Sequence, residues 1–122
     1  NPSNPKHDPV ATADAYKKVD ALNPHACYTD EMVKALFSRD MFMISTTIFN
    51  DFELALQIPE VNEIKGIMLK SKARGAGMSG SGSAVFGVFT SSRRAKKCYD
   101  KLSESYKEVF LCKPVSDGCK VL

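Results

Sequence analysis

The sequence has neither a long apolar run nor a strong excess of charge of one sign. Its longest apolar runs, residues 41–44 and 84–89, are far shorter than the roughly 20 residues of a membrane-spanning helix. We therefore expect no membrane partner. Its 17 basic and 14 acidic residues give a net charge of +3, too small and too interspersed to predict a nucleic-acid partner. We interpret the densest basic cluster, residues 93–97, as a solvated helix face.

Cysteine and histidine are also scarce. There are four cysteines and two histidines, and no two cysteines have the short spacing of a zinc site. The cysteines are Cys27, Cys98, Cys112 and Cys119. A chain of this size can build a core without cross-links, so we expect reduced thiols in a cytoplasmic protein and no metal site; disulfide bonds are the alternative.

The length of 122 residues is that of one domain. The chain opens with Asn1 and three prolines within ten residues, without Met and without a signal sequence. We expect an extended lead-in at residues 1–10, one domain at residues 11–122, and an origin as a piece of a longer protein.

Helical spacing dominates the first half of the chain. Thr12 is placed to cap a first helix that stops at Asn23-Pro24, and a second helix is predicted from Thr29. The second helix is expected to direct four apolar side chains inward: Met32, Val33, Leu36 and Phe37. A third helix is predicted at residues 39–48.

Two further helices have clear starts. Asn50-Asp51 is typical of a helix cap, and Pro59 is typical of the first turn of the helix that follows. The latter helix has an apolar stripe of Val61, Ile64 and Met68.

Strand signals come later. Residues 84–90 predict a strand, and Ser92 is placed to cap a helix after it. That helix has the most regular apolar stripe in the chain: Ala95, Cys98, Tyr99, Leu102 and Tyr106. A strand at Val109–Cys112 and an edge strand around Gly118 complete the prediction. The fold class is α+β, a ferredoxin-like (split βαβ) antiparallel sheet covered by helices on one face. The predicted elements are one strand short, and we expect that the first strand, which would precede Pro9, is missing from this chain.

A glycine-rich segment, residues 78–83, lies before the predicted strand. Glycines let consecutive backbone N–H groups turn toward an anion, and serine hydroxyls add donors that phosphate oxygens accept. The segment lacks the lysine and the following helix of a Walker A loop. From composition alone, a flexible hairpin turn is the favoured interpretation.

The wider segment, Gly75-Ala76 and Met78 through Phe89, resembles the third motif of the GHMP small-molecule kinases. Two other segments support the resemblance: Asn50-Asp51-Phe52-Glu53 with Pro59-Glu60-Val61 and Ile64-Lys65, and Thr12-Ala13-Asp14-Ala15-Tyr16. All three are most similar to the branch of the family that phosphorylates 4-diphosphocytidyl-2-C-methyl-D-erythritol. The resemblance covers nearly the whole chain but only the C-terminal half of such an enzyme.

The resemblance implies a kinase of the non-mevalonate isoprenoid route that uses ATP and Mg²⁺, bound mainly by an N-terminal domain whose motifs are absent from this sequence. It therefore implies that this chain carries no catalytic residue and has no activity alone. Thr12 and Tyr16 match substrate-binding positions, with Tyr16 stacking on cytosine. The loop residues that match a phosphate-binding role are Ser79, Gly80, Ser81 and Gly82.

Purely structural roles remain as alternatives for these residues. Tyr16 is also typical of a half-buried helix tyrosine, and Thr12 of a helix cap. We interpret Asn50-Asp51 as a structural cap at a helix entry. Other GHMP kinases, for homoserine, mevalonate or phosphomevalonate, differ only in substrate. A ferredoxin-like module that binds a small regulatory ligand, as ACT domains do, belongs to a different class. The expected partners are a small-molecule substrate, the N-terminal domain and, through an exposed apolar face, a second copy of the chain.

Overall fold

The computed structural model describes residues 12–22 and 27–118, which form six helices and two strands. In chain order they are α1 (Thr12–Asp20), α2 (Thr29–Ser38), α3 (Met41–Thr46), α4 (Asp51–Leu56), α5 (Pro59–Lys70), β1 (Gly75–Met78), β2 (Val85–Val88) and α6 (Ser92–Ser103). The α+β class with a small antiparallel sheet is confirmed. The predicted lead-in, the stop at Asn23-Pro24 and Cys119 lie outside the described residues.

Side-chain caps begin several helices. Asn50 caps α4 by accepting a hydrogen bond from Phe52 N at 3.0 Å, and Pro59 occupies the first turn of α5, both as the sequence predicts. The cap of α6 is Ser91, one residue before the predicted Ser92. Thr12 is the first residue of α1. The prediction that it is the N-cap, the residue immediately before the helix, is therefore wrong.

The sheet is one hairpin, in which Gly75 pairs with Val88 and Met78 with Val85. Strand β1 was not predicted, because Gly-Ala-Gly-Met has low strand propensity. Gly75 and Gly77 permit a close approach instead: a Cβ there would lie 2.7 and 2.8 Å from the side chain of Ile48. The region of α3 therefore packs tightly against β1.

Helices cover both faces of this hairpin. Gly75 and Gly77 face Ile48, whereas Gly87, which pairs with Ala76, faces Met68 of α5. Because paired residues share a face and neighbours alternate, α3 and α5 lie on opposite sides. The prediction of a single covered face is wrong.

The main core lies between α5, α6 and β2. Ile64, Cys98 and Leu102 are buried together, so the predicted stripes of α5 and α6 are confirmed. Partly buried side chains pack around them, namely Ile67, Met68, Val85, Phe89, Tyr106 and Val109.

The predicted strand at Val109–Cys112 is wrong. Residues 115–118 contain no strand, and the rest of the edge strand predicted around Gly118 lies outside the described residues. Val109 packs on the α5–α6 core, but Phe110 and Leu111 are exposed. Within the described residues this segment makes no ladder with β1 or β2, so its apolar character does not produce a strand.

The prediction for α2 is also wrong in its orientation. Ala35 is its buried residue and Met32 is half-buried, whereas Val33, Leu36 and Phe37 are exposed. The helix places this apolar stripe on a surface that no other described element covers.

Candidate substrate-binding site

The loop between β1 and β2, residues 79–84, has a defined conformation. Ser79 N donates to Ala84 O at 2.8 Å, and Gly82 N donates to Ser79 O at 3.2 Å. Gly80 and Gly82 have φ of +58° and +97°, in the left-handed region that favours glycine. The turn conformation is therefore specified by glycines at two positions.

Donors remain available in this loop. The backbone N–H groups of Gly80 and Ser81 and the hydroxyls of Ser79 and Ser81 donate to none of the described residues. A Cβ at Gly80 would meet no atom within 4 Å, so the space beside its backbone is open. Two successive backbone N–H groups beside open space suit an anion such as a phosphate.

The Asn50 side chain holds the loop from α4. Its Nδ2 donates to Met78 O at 2.8 Å and to Gly80 O at 2.9 Å, while its Oδ1 caps α4. One amide thus fixes the helix start and the loop together. The sequence pattern predicts only the cap.

Glu53, one turn later on α4, makes a second attachment. Its Oε2 accepts a hydrogen bond from Met78 N at 2.9 Å, and its Oε1 forms an ion pair with Lys65 of α5. The two paired side chains are only 18% and 23% exposed, and partial burial lowers the pKa of the Lys65 ammonium below its ordinary value. No role was predicted for Glu53 and Lys65, although both belong to segments that carry the family resemblance.

Tyr16 lies beside the same helix. The residue is 55% exposed, and its ring packs edge-to-face on Phe52, with centroids 5.0 Å apart and planes at 90°. Thr12 is exposed four residues earlier on α1, so the two side chains share one helix face. Phe52 follows Asn50 by two residues, and α4 thereby joins the Tyr16 ring to the glycine loop.

Other candidate groups contribute less. The basic cluster at residues 93–97 is mostly exposed at the start of α6, as expected of a solvated face. Nowhere in the described ranges do three or more His, Cys, Asp or Glu side chains come together as metal ligands. Among the described helices, none is both long and apolar enough to cross a membrane.

These elements define a small α+β domain whose hairpin presents a glycine turn held by a neighbouring helix. Residues 32–108 match the family of GHMP kinases, C terminal, and the chain belongs to this family. The resemblance found in the sequence is thus confirmed.

Curated relatives agree with this assignment. The chain is 35% identical over 117 residues to the 4-diphosphocytidyl-2-C-methyl-D-erythritol kinase of Thermoanaerobacter pseudethanolicus, covering 92% of this chain and 40% of that protein. It is 36% identical over 110 residues to the kinase of the same name in Alkaliphilus metalliredigens, covering 88% and 38%. The chain spans about two fifths of the length of these relatives. No solved structure matches it significantly.

Proposed function

We propose that this chain is the substrate-binding C-terminal part of an ATP-dependent kinase that phosphorylates 4-diphosphocytidyl-2-C-methyl-D-erythritol in the non-mevalonate isoprenoid route of the cytoplasm. Its family and the names of its relatives support the kinase class and this substrate. The supporting observation in the structure is that α4 joins an exposed tyrosine ring to a glycine loop with available N–H donors.

The tyrosine ring and the glycine loop suit the cytosine base and the phosphates of a diphosphocytidyl group, respectively. The exposed face of Tyr16 is a platform for the cytosine ring, since base–aromatic stacking contributes about 1–3 kcal/mol per base. The loop N–H groups of Gly80 and Ser81 suit phosphate oxygens. Thr12, on the same face of α1 as Tyr16, adds a hydroxyl for the same ligand.

The role of this chain in phosphoryl transfer is positioning. ATP with Mg²⁺ supplies the transferred phosphoryl group, and such reactions depend largely on alignment and charge stabilisation. In this proposal the residues of this chain bind and orient the substrate, and we expect no ATP turnover by the chain alone.

A second surface suits a protein partner. The α2–α3 surface consists of four exposed apolar side chains: Val33, Leu36, Phe37 and Phe42. Among them, Phe37 is 88% and Phe42 71% exposed. Apolar patches of this kind are typical of interfaces. We propose that this surface packs against an N-terminal kinase domain, and that the isolated chain self-associates through it.

A substrate panel tests the kinase proposal. The complete protein that contains this chain is incubated with ATP, Mg²⁺ and, separately, 4-diphosphocytidyl-2-C-methyl-D-erythritol, homoserine, mevalonate or phosphomevalonate. We expect phosphorylation of the diphosphocytidyl compound alone. Phosphorylation of another acceptor in its place, or of none, contradicts the proposal.

A further inference from the structure

We propose that Asn50 and Glu53 are positioning residues that hold the glycine loop in its ligand-binding conformation before a ligand arrives, with Lys65 acting through Glu53. The inference rests on the proposed phosphate-binding role of the loop. It concerns side chains that lie behind the loop, on α4 and α5.

The sheet geometry explains why these side chains reach the loop. Ser79 N bonds to Ala84 O, so the next pair inward, Met78 and Val85, is a non-hydrogen-bonded pair. The N–H and C=O groups of Met78 therefore point away from β2. In place of a neighbouring strand, Glu53 accepts from the N–H and Asn50 donates to the C=O.

The second bond of Asn50 extends this support into the turn. By donating to both Met78 O and Gly80 O, its amide spans Ser79 and fixes the carbonyl of Gly80. That carbonyl belongs to the peptide unit whose N–H is that of Ser81. Fixing the peptide plane therefore also fixes one of the two donors offered to a phosphate. A donor ordered in advance removes an ordering cost from ligand binding.

Lys65 completes the support from α5. Its ion pair with Glu53 is largely shielded from water and restricts the carboxylate that accepts from Met78 N. A charged partner favours one rotamer of Glu53, and a fixed acceptor holds the end of β1. Three elements, α4, α5 and β1, thus converge behind the turn.

Substitution of Asn50 by Asp separates the two roles of this residue. Aspartate keeps the oxygen that caps α4, since Asn, Asp and Ser are comparable helix caps. It replaces the donor facing Met78 O and Gly80 O with an oxygen that repels them. Asn50→Ser also keeps a cap but is too short to reach the loop. Asp40→Ala is the control, because it removes a helix cap, that of α3, without a side-chain bond to the loop.

Hydrogen–deuterium exchange of the complete protein gives a readout that needs no ligand. In Asn50→Asp and Asn50→Ser we expect amides of the peptide covering residues 77–84 to exchange about tenfold faster, while the α6 peptide is unchanged. In the Asp40→Ala control we expect no acceleration of amide exchange that is specific to the loop peptide. Unchanged loop exchange in both Asn50 variants overturns the inference, whatever the substrate is.

Lys65 is tested in the same way. Lys65→Met should accelerate amide exchange in the loop. In Lys65→Arg the exchange rate should stay close to that of the parent, because arginine keeps the ion pair. The matched control is Lys96→Met, which removes an exposed lysine paired with Asp100 on α6 and should leave the loop unchanged. Equal effects of Lys65→Met and Lys96→Met on the loop contradict a role for Lys65.

Kinetics then separate this inference from the proposed function. In Asn50→Asp we expect KM for the diphosphocytidyl substrate to rise about tenfold while KM for ATP changes little. Faster loop exchange with an unchanged substrate KM supports the positioning of the loop but overturns its role in substrate binding. Unchanged exchange with a raised KM overturns the positioning inference and leaves the proposed function standing.

Discussion

The ring of Tyr16 meets the ring of Phe52 edge-to-face, with perpendicular planes and centroids 5.0 Å apart. This contact orients the tyrosine without covering it, since 55% of Tyr16 stays exposed. Because Phe52 belongs to the helix that Asn50 caps, the same short segment orients the aromatic platform and supports the glycine loop. The proposed base and phosphate sites therefore depend on α4 together.

Tyr16→Ala should weaken binding of the diphosphocytidyl substrate. Loss of a stacking face worth about 1–3 kcal/mol corresponds to a loss of affinity of roughly 5- to 150-fold. Tyr16→Phe keeps the ring and should bind nearly as well as the parent. Isothermal titration calorimetry of the complete protein with cytidine diphosphate measures both variants.

Tyr28 offers a matched control for that substitution. It is also an exposed tyrosine that packs edge-to-face on a phenylalanine, Phe49, at a centroid distance of 5.3 Å. Tyr28→Ala should leave cytidine diphosphate affinity unchanged. Equal losses in Tyr16→Ala and Tyr28→Ala would contradict the assignment of Tyr16 as the platform.

Two glycine substitutions should have opposite effects on stability. Gly80 has open space around a Cβ position but a φ of +58°, so Gly80→Ala should destabilise by about 1–2 kcal/mol. Gly66 has equally open space within helix α5, so Gly66→Ala should stabilise by about 0.5–1 kcal/mol. Urea unfolding of the two variants measures this difference. Stabilisation by Gly80→Ala would contradict the left-handed conformation assigned to the loop.

The α2–α3 surface should drive self-association of the isolated chain. Replacing the most exposed phenylalanine, Phe37→Ser, removes apolar area and should shift the chain toward monomer in sedimentation velocity. Phe110→Ser is the control, because Phe110 is 79% exposed but follows α6, outside this surface. An equal shift in both variants would indicate nonspecific apolar association.

Alkaline pH should reveal the environment of Tyr106. Burial, followed by the negative charges of Glu63 and Glu60, raises the pKa of its phenol above the ordinary value of about 10. Since the unfolded state ionises first, this contribution to stability is complete below about pH 10 and is lost as pH rises through the folded-state pKa. The urea midpoint of the parent should therefore fall relative to that of Tyr106→Phe as pH rises above about 10. A difference independent of pH would contradict the raised pKa.

Local signals in the sequence predicted a large part of the fold. The apolar stripes containing Ile64 and Leu102 define helices α5 and α6, because helical spacing alone specifies which side chains face the core. Asn50 and Pro59 likewise specify helix starts through short-range hydrogen bonding and backbone restriction.

Features that depend on distant partners were not predictable in this way. Strand β1 forms from a segment of low strand propensity because Gly75 and Gly77 admit Ile48, which lies 27 residues before Gly75. The contact of Asn50 with Gly80 spans 30 residues and leaves no periodic pattern. Phe37 is exposed although its helical spacing predicts a buried apolar face, because spacing does not specify which element covers that face.

Titration of the chain with cytidine diphosphate, followed by NMR chemical shifts, tests most directly whether Tyr16 and the glycine loop form one site. We predict shifts concentrated at Thr12, Tyr16 and Gly80–Gly82, with no comparable change in α6. In the complete protein, cytidine diphosphate should bind more tightly and shift the same residues. Shifts elsewhere, or none at these residues in the complete protein, would contradict the account.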